Sequence, residues 1–114
     1  MRIIIPIQPV PKARMTQRSK YASKAARKTI DYQNEIADRL KYEYRVPDFE
    51  GEIELNLLFF VRGNRGDRLN FAKAIEDAIQ RAGIVKNDKQ ITKGQTETVY
   101  GSNNPRIIIE IKPR

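Results

Sequence analysis

The chain contains no cysteine, no histidine and no tryptophan. The first absence excludes disulfides, thiolate zinc sites and cysteine nucleophiles; the second excludes histidine zinc triads and every acid–base scheme built on imidazole. Any catalysis must run on carboxylates, lysine, hydroxyls or a hard metal ion. No apolar run approaches the length of a membrane span, and Met1-Arg2-Ile3-Ile4-Ile5-Pro6 lacks the long apolar region and cleavage site of a signal peptide. The expectation is a cytoplasmic protein with no membrane partner. Gly63-x-x-Gly66 is not followed by Gly-Lys-Ser/Thr, so a nucleotide-triphosphate site is rejected.

Acidic residues are the other shortage. Lys and Arg number 22 against 14 Asp and Glu, giving a net charge of +8 and a pI near 9.9. Such a balance favours a polyanionic partner, because each cation placed on a phosphate releases condensed counterions. The distribution says more than the total. From Lys12 to Lys28 there are seven basic residues and no acidic one, whereas a uniformly solvated surface would mix the signs. Charge alone would also suit a basic RNA-associated domain, although no RNP-type aromatic motif is present. At 114 residues, positions 1–114 read as one domain with a modest core that oligomerisation would support.

Periodicity supplies the elements. Ile3, Ile4, Ile5 and Ile7 make a β-branched strand over 2–8, with Pro6 implying an edge or a bulge. Pro9 and Pro11 break it into an extended basic loop. Ser23 can cap a helix running to about Tyr44, in which Ala26, Ile30, Gln33, Ala37 and Leu40 keep a three-and-four rhythm until Val46-Pro47 stops it. Glu52 to Val61 alternates as a strand, and Leu58 and Phe60 make its second face apolar as well, which suits either a central strand or a dimer face. A polar strand over 90–100 and an apolar one over 106–112 follow, joined by the turn Gly101-Ser102-Asn103-Asn104-Pro105. The order β-α-β-α-β-β predicts a two-layer α+β domain, two helices on one face of a mixed sheet of about four strands.

Residues 67–91 are the densest stretch. Asp67 can cap a helix, along which Phe71, Ala72, Ile75, Ala78, Ile79 and Ala82 form a buried stripe, until Gly83 ends it as an αL cap. Ile84 to Asp88 then returns a second aspartate. Asp67, Asn70, Lys73, Glu76, Asp77 and Asp88 are hard oxygen ligands with one ammonium among them, a composition suited to Mg²⁺. A capped amphipathic helix with solvated charges explains the same residues.

The pattern Gly66-Asp67-x-x-Asn70-x-x-Lys73-Ala74-x-Glu76-Asp77-Ala78, then Asn87-Asp88-x-Gln90-Ile91, resembles the RusA family of Holliday-junction resolvases. Pro9-Val10-Pro11-Lys12-Ala13-Arg14, with Tyr21, Lys28-Thr29 and Tyr32 beyond it, is similar to that family's N-terminal segment. The resemblance implies a metal-dependent, homodimeric endodeoxyribonuclease that resolves branched DNA in recombination and repair, using Mg²⁺ or Mn²⁺. It makes Asp67 the first metal-binding aspartate, Lys73 the functional lysine and Asp88 the last aspartate. Leu69 stands where the family has its second aspartate, and Glu76 or Asp77 is the expected substitute. Lys12, Arg14, Arg65, Arg68 and Asn70 are the expected DNA contacts. The alternative left open by Leu69 is a catalytically weakened protein that binds branched DNA without cutting it.

Overall fold

In a computed structural model of the chain, which describes residues 1–12 and 24–114, the spine is strand β2 (Ile53–Val61). Ile53, Leu55, Leu57, Phe59 and Val61 are all buried while the residues between them are half-buried, the two-residue period of a strand with one covered face. Strand β5 (Arg106–Pro113) runs antiparallel to β2 and sets Ile107 beside Phe59, Ile109 beside Leu57 and Ile111 beside Leu55. Strand β1 (Arg2–Ile5) adds Ile3 and Ile5 to the same face by pairing antiparallel with β5. It is an edge strand, ending at Pro6, as the proline implies.

The other flank of β2 departs from expectation. A single polar strand over 90–100 is replaced by two short ones, β3 (Ile91–Lys93) and β4 (Thr96–Tyr100), both parallel to β2. The break lies at Gly94, where the chain approaches β2 so closely that a Cβ would collide with the Leu55 carbonyl; φ there is +154°. Asn56 and β2 stitch the break, since Gln95 N–H donates to Asn56 Oδ1 at 2.9 Å and Leu57 N–H to the Gln95 carbonyl at 2.9 Å. The sheet therefore has five strands, β1-β5-β2 with β3 and β4 sharing the far side of β2. Leu58 and Phe60 lie on the face away from the helices, where the Arg106 guanidinium sits 3.6 Å over the Phe60 ring.

Two helices cover the opposite face. Helix α1 (Lys24–Asp38) buries Ala26, Ile36 and Ala37 and passes into a π-helical turn, Arg39–Glu43, that carries buried Leu40. The Ser23 cap, together with Arg14, Arg18, Lys20 and Tyr21, lies outside the described residues. Helix α2 (Arg68–Arg81) buries Phe71, Ala72, Ala74, Ile75, Ala78 and Ile79, which confirms the stripe, and Gly83 has the expected left-handed φ of 76°. The Phe71 and Phe59 rings meet at 5.3 Å between centroids, locking the first turn of α2 onto the middle of the sheet. Burying each such ring contributes about 1.5–3 kcal/mol. No helix among the described residues is long and apolar enough to cross a membrane.

Candidate active site

Asp67 follows an exposed loop, Arg62 to Gly66, that is tied down from both sides. On one side Gln8 imitates a strand partner: Arg62 N–H donates to its Oε1 at 3.0 Å, and its Nε2 donates to the Arg62 carbonyl at 3.5 Å. On the other, Ser102 N–H donates to the Val61 carbonyl and Gly101 N–H to the Gly63 carbonyl, each at 2.9 Å. The Tyr100 hydroxyl donates to the Gly66 carbonyl at 2.7 Å. A loop of this composition would otherwise be mobile; here it connects rigid elements at fixed points.

The loop delivers Asp67 to the N-cap of α2, with extended backbone (φ −114°, ψ 158°). Its Oδ1 accepts from Asn70 N–H at 3.0 Å and its Oδ2 from Asn70 Nδ2 at 3.1 Å. Asn70, an expected DNA contact, thus orients the carboxylate. Each carboxylate oxygen offers about two acceptor positions, so Asp67, exposed to solvent, keeps capacity for a further partner. Arg65 and Arg68 flank it, both exposed and neither in an ion pair among the described residues. Leu69 is 65 % exposed and lines an open groove of about 730 Å³ with Asp67, Glu97, Thr98 and Tyr100. Glu97 and Tyr100 were invisible to motif reading, since they reach this groove only through the pairing of β4 with β2.

The remaining acidic residues gather elsewhere. Glu76 lies nine residues beyond Asp67, about 13 Å along the helix axis at 1.5 Å per residue. It is half-buried against a cavity of about 290 Å³ lined also by Ile91, Lys93, Gly94 and Thr96. It makes no hydrogen bond or ion pair among the described residues. Burial pushes its carboxyl above the usual range, and repulsion from Asp77 and Asp88 adds to this, while Lys73 and Lys12 oppose it. Asp88 is therefore Glu76's neighbour.

Asp77 is engaged. It takes the Lys12 ammonium at 2.8 Å and a hydrogen bond from Gln33 Nε2 at 3.3 Å, while Arg81 Nε holds Gln33 Oε1 at 3.2 Å. Lys12 N–H also donates to the Asn70 carbonyl at 3.0 Å. Lys12 and Asp77, assigned from the sequence to DNA and metal respectively, are thus joined to each other. Arg14 lies outside the described residues.

Asp88 opens a 3₁₀ turn, Asp88–Gln90, built on a reciprocal cap between Asn87 and Gln90. Gln90 does more than cap. Its Oε1 accepts from Lys86 N–H at 2.8 Å, and its Nε2 donates to the Phe49 carbonyl at 2.8 Å and the Gly51 carbonyl at 3.0 Å. One amide side chain thereby anchors the Asp88 turn to the segment that leads into β2.

The sequence-derived set accordingly divides in two, Asp67 with Asn70 at the start of α2 and Glu76, Asp77 and Asp88 towards its end. No three carboxylates among the described residues are placed to share one ion. The donors themselves suit a hard cation: Asp67 has acceptor positions beyond those Asn70 fills, and the repulsion of Glu76 by Asp77 and Asp88 is what a bound cation would relieve. A family model described as endodeoxyribonuclease RusA matches residues 6–112. No curated protein matches the chain.

Proposed function

The chain belongs to the RusA endodeoxyribonuclease family, and on that premise we propose that it is a Mg²⁺-dependent, homodimeric endonuclease that resolves four-way DNA junctions by hydrolysing two symmetric phosphodiesters, with Mn²⁺ able to substitute. The observation that carries this reading is Asp67, an exposed carboxylate fixed by Asn70 at the end of a stapled loop, between two arginines that form no ion pair among the described residues. Arg65 and Arg68 bind the phosphates on either side of the cleaved bond, positioning DNA without reading its sequence. Asp67 and Asp88 hold the cation, with Glu76 in place of the aspartate missing at position 69. When bound, the cation supplies Lewis acidity and an activated water. The Lys73 ammonium, exposed on α2, stabilises charge on the phosphate during attack. Asp77 and Lys12 join the site only if their ion pair opens.

Asp67 caps the start of α2, and Asp88 lies in the turn after that helix, beside Glu76. We propose that the site takes Asp67 from one copy and Asp88 from another, since a two-fold dimer supplies two such sites related by the same symmetry as the two strands to be cut. The test is a synthetic four-way junction incubated with purified protein, with and without Mg²⁺ or Mn²⁺. Metal-dependent paired cleavage by a dimer is expected. A monomer at micromolar concentration that leaves the junction intact contradicts the reading.

Leu69 favours a second reading, a protein that binds branched DNA and cuts it weakly or not at all. Its side chain projects into the groove beside Asp67 and offers no oxygen there. If the wild type is inert while Leu69→Asp cleaves, that reading holds and Glu76 is an ordinary helix residue.

A further inference from the structure

Building on the assignment of Asp67 as a catalytic carboxylate, we propose that Tyr100 is a positioning residue for it, acting through the peptide that joins Gly66 to Asp67. The Tyr100 hydroxyl reaches across 34 residues of sequence to the Gly66 carbonyl at 2.7 Å. Among the described residues, no other hydrogen bond holds that peptide on the polar side of the loop. Gln8 fixes Arg62, Ser102 fixes Val61 and Gly101 fixes Gly63, but among the described residues neither Asn64 nor Arg65 makes a hydrogen bond. Among the described residues, the Tyr100 hydroxyl makes the one hydrogen bond to the stretch from Asn64 to Gly66.

The opposite side of the peptide is closed by the core. Gly66 has φ +90° and lies so close to the Phe71 ring that an added Cβ would meet its Cζ at 2.5 Å. The ring limits translation towards the sheet, and the hydroxyl limits rotation of the carbonyl. Rotating this peptide swings the Asp67 N–H and Cα, and with them the direction of the carboxylate. The Tyr100 bond leaves the Asp67 oxygens themselves untouched, since their protein partners are both on Asn70. Residues that aim a metal-binding carboxylate in this manner are worth about 10–100-fold in metal affinity or activity when lost.

Tyr100→Phe removes one oxygen and keeps the ring. Cleavage of a four-way junction, its Mg²⁺ dependence, junction binding in Ca²⁺ and amide hydrogen exchange are measured for the wild type and this variant. We expect kcat to fall about tenfold and the Mg²⁺ concentration for half-maximal rate to rise several-fold. Junction affinity in Ca²⁺ should hold, and exchange should quicken at residues 63–70 alone. Unchanged kcat and metal dependence overturn the proposal. So does a loss of rate accompanied by faster exchange throughout the chain and a lower Tm, which would mark Tyr100 as a packing residue. If the wild type itself does not cleave, the functional reading fails separately, and exchange decides alone: unaltered protection at 63–70 overturns the role of Tyr100.

Discussion

The two ends of helix α2 treat their carboxylates in opposite ways. At the start, Asp67 is exposed and oriented by a neighbour three residues away, and its loop is fastened by groups from β4, the β4–β5 turn and the segment after β1. Towards the end, Glu76 is half-buried without a partner among the described residues, Asp77 is consumed by Lys12, and Asp88 rides on a turn pinned by Gln90. Rigidity at the first end comes from distant strands, and the acid, held by Asn70, keeps acceptor capacity to spare. At the second end Glu76 is repelled by Asp77 and Asp88, while Asp77 itself is paired with Lys12. Neither end alone resembles a complete metal site.

The largest expected effect separates the ends by function. Asp67→Asn keeps the helix cap, because Asn caps as well as Asp, yet removes the anionic donor. Cleavage should fall roughly a thousandfold or more while junction binding persists, as a gel-shift assay in Ca²⁺ alongside a cleavage assay will report. Equal loss of both activities would mean that Asp67 serves the fold.

Next in size is an attack on the second end only. Gln90→Ala deletes the amide that satisfies Lys86 N–H and the Phe49 and Gly51 carbonyls. Leaving such groups unpaired costs on the order of 1–3 kcal/mol, visible as a lower urea midpoint. Metal-dependent cleavage should weaken as Asp88 loses its footing, with the Asp67 loop protected from exchange as before.

A smaller effect has a defined sign with pH. The Glu76 carboxyl is raised above its ordinary value of 4.5, chiefly by burial. The folded state therefore holds this proton more tightly than the unfolded chain does. Its contribution to stability is full below the unfolded value and is lost as pH rises through the folded one. In metal-free buffer, Glu76→Gln should raise Tm at neutral pH, and the two curves should converge below about pH 4.5. A variant less stable than wild type at pH 7 would show that the Glu76 charge has a partner.

The smallest effect concerns the Lys12–Asp77 pair, whose side chains are 37 % and 36 % exposed. Pairs so open to solvent are worth under about 1 kcal/mol. Lys12→Ala should barely move Tm. If Lys12 leaves Asp77 for a phosphate when DNA binds, the salt dependence of junction affinity should flatten by about one unit of slope; an unchanged slope keeps Lys12 on Asp77.

Much of the frame was legible because it depends on local rules. The α2 stripe, its Asp67 cap and Gly83 stop follow from spacing three and four, and the spine strand from strict alternation. The broken strand at Gly94 was not legible, since a glycine in a polar run gives no hint that the Leu55 carbonyl will occupy the place of its Cβ. The partners of Asp77 were hidden for a related reason: Lys12 and Gln33 meet it only after three segments pack. Asp67 and Asp88 are grouped by resemblance; the fold sets the first at the N-cap of α2 and the second in the turn that follows the helix. Gln90, quoted as part of a motif, turns out to hold the Asp88 turn by backbone contacts that spacing could not reveal.

If Asp67 and Asp88 meet only between two copies of the chain, as we propose, two inactive variants should complement each other. Asp67→Asn and Asp88→Asn proteins, each inactive alone, should be mixed under conditions that exchange subunits and tested on a four-way junction with Mg²⁺. In a mixed dimer, one site would draw both intact aspartates from different copies, and the other site would have neither. Nicking should return at one strand per junction, carried by the mixed dimers, which make up about half of all dimers after statistical exchange of equal amounts. If subunits exchange and no nicking returns, the two aspartates act within a single chain and the account is contradicted.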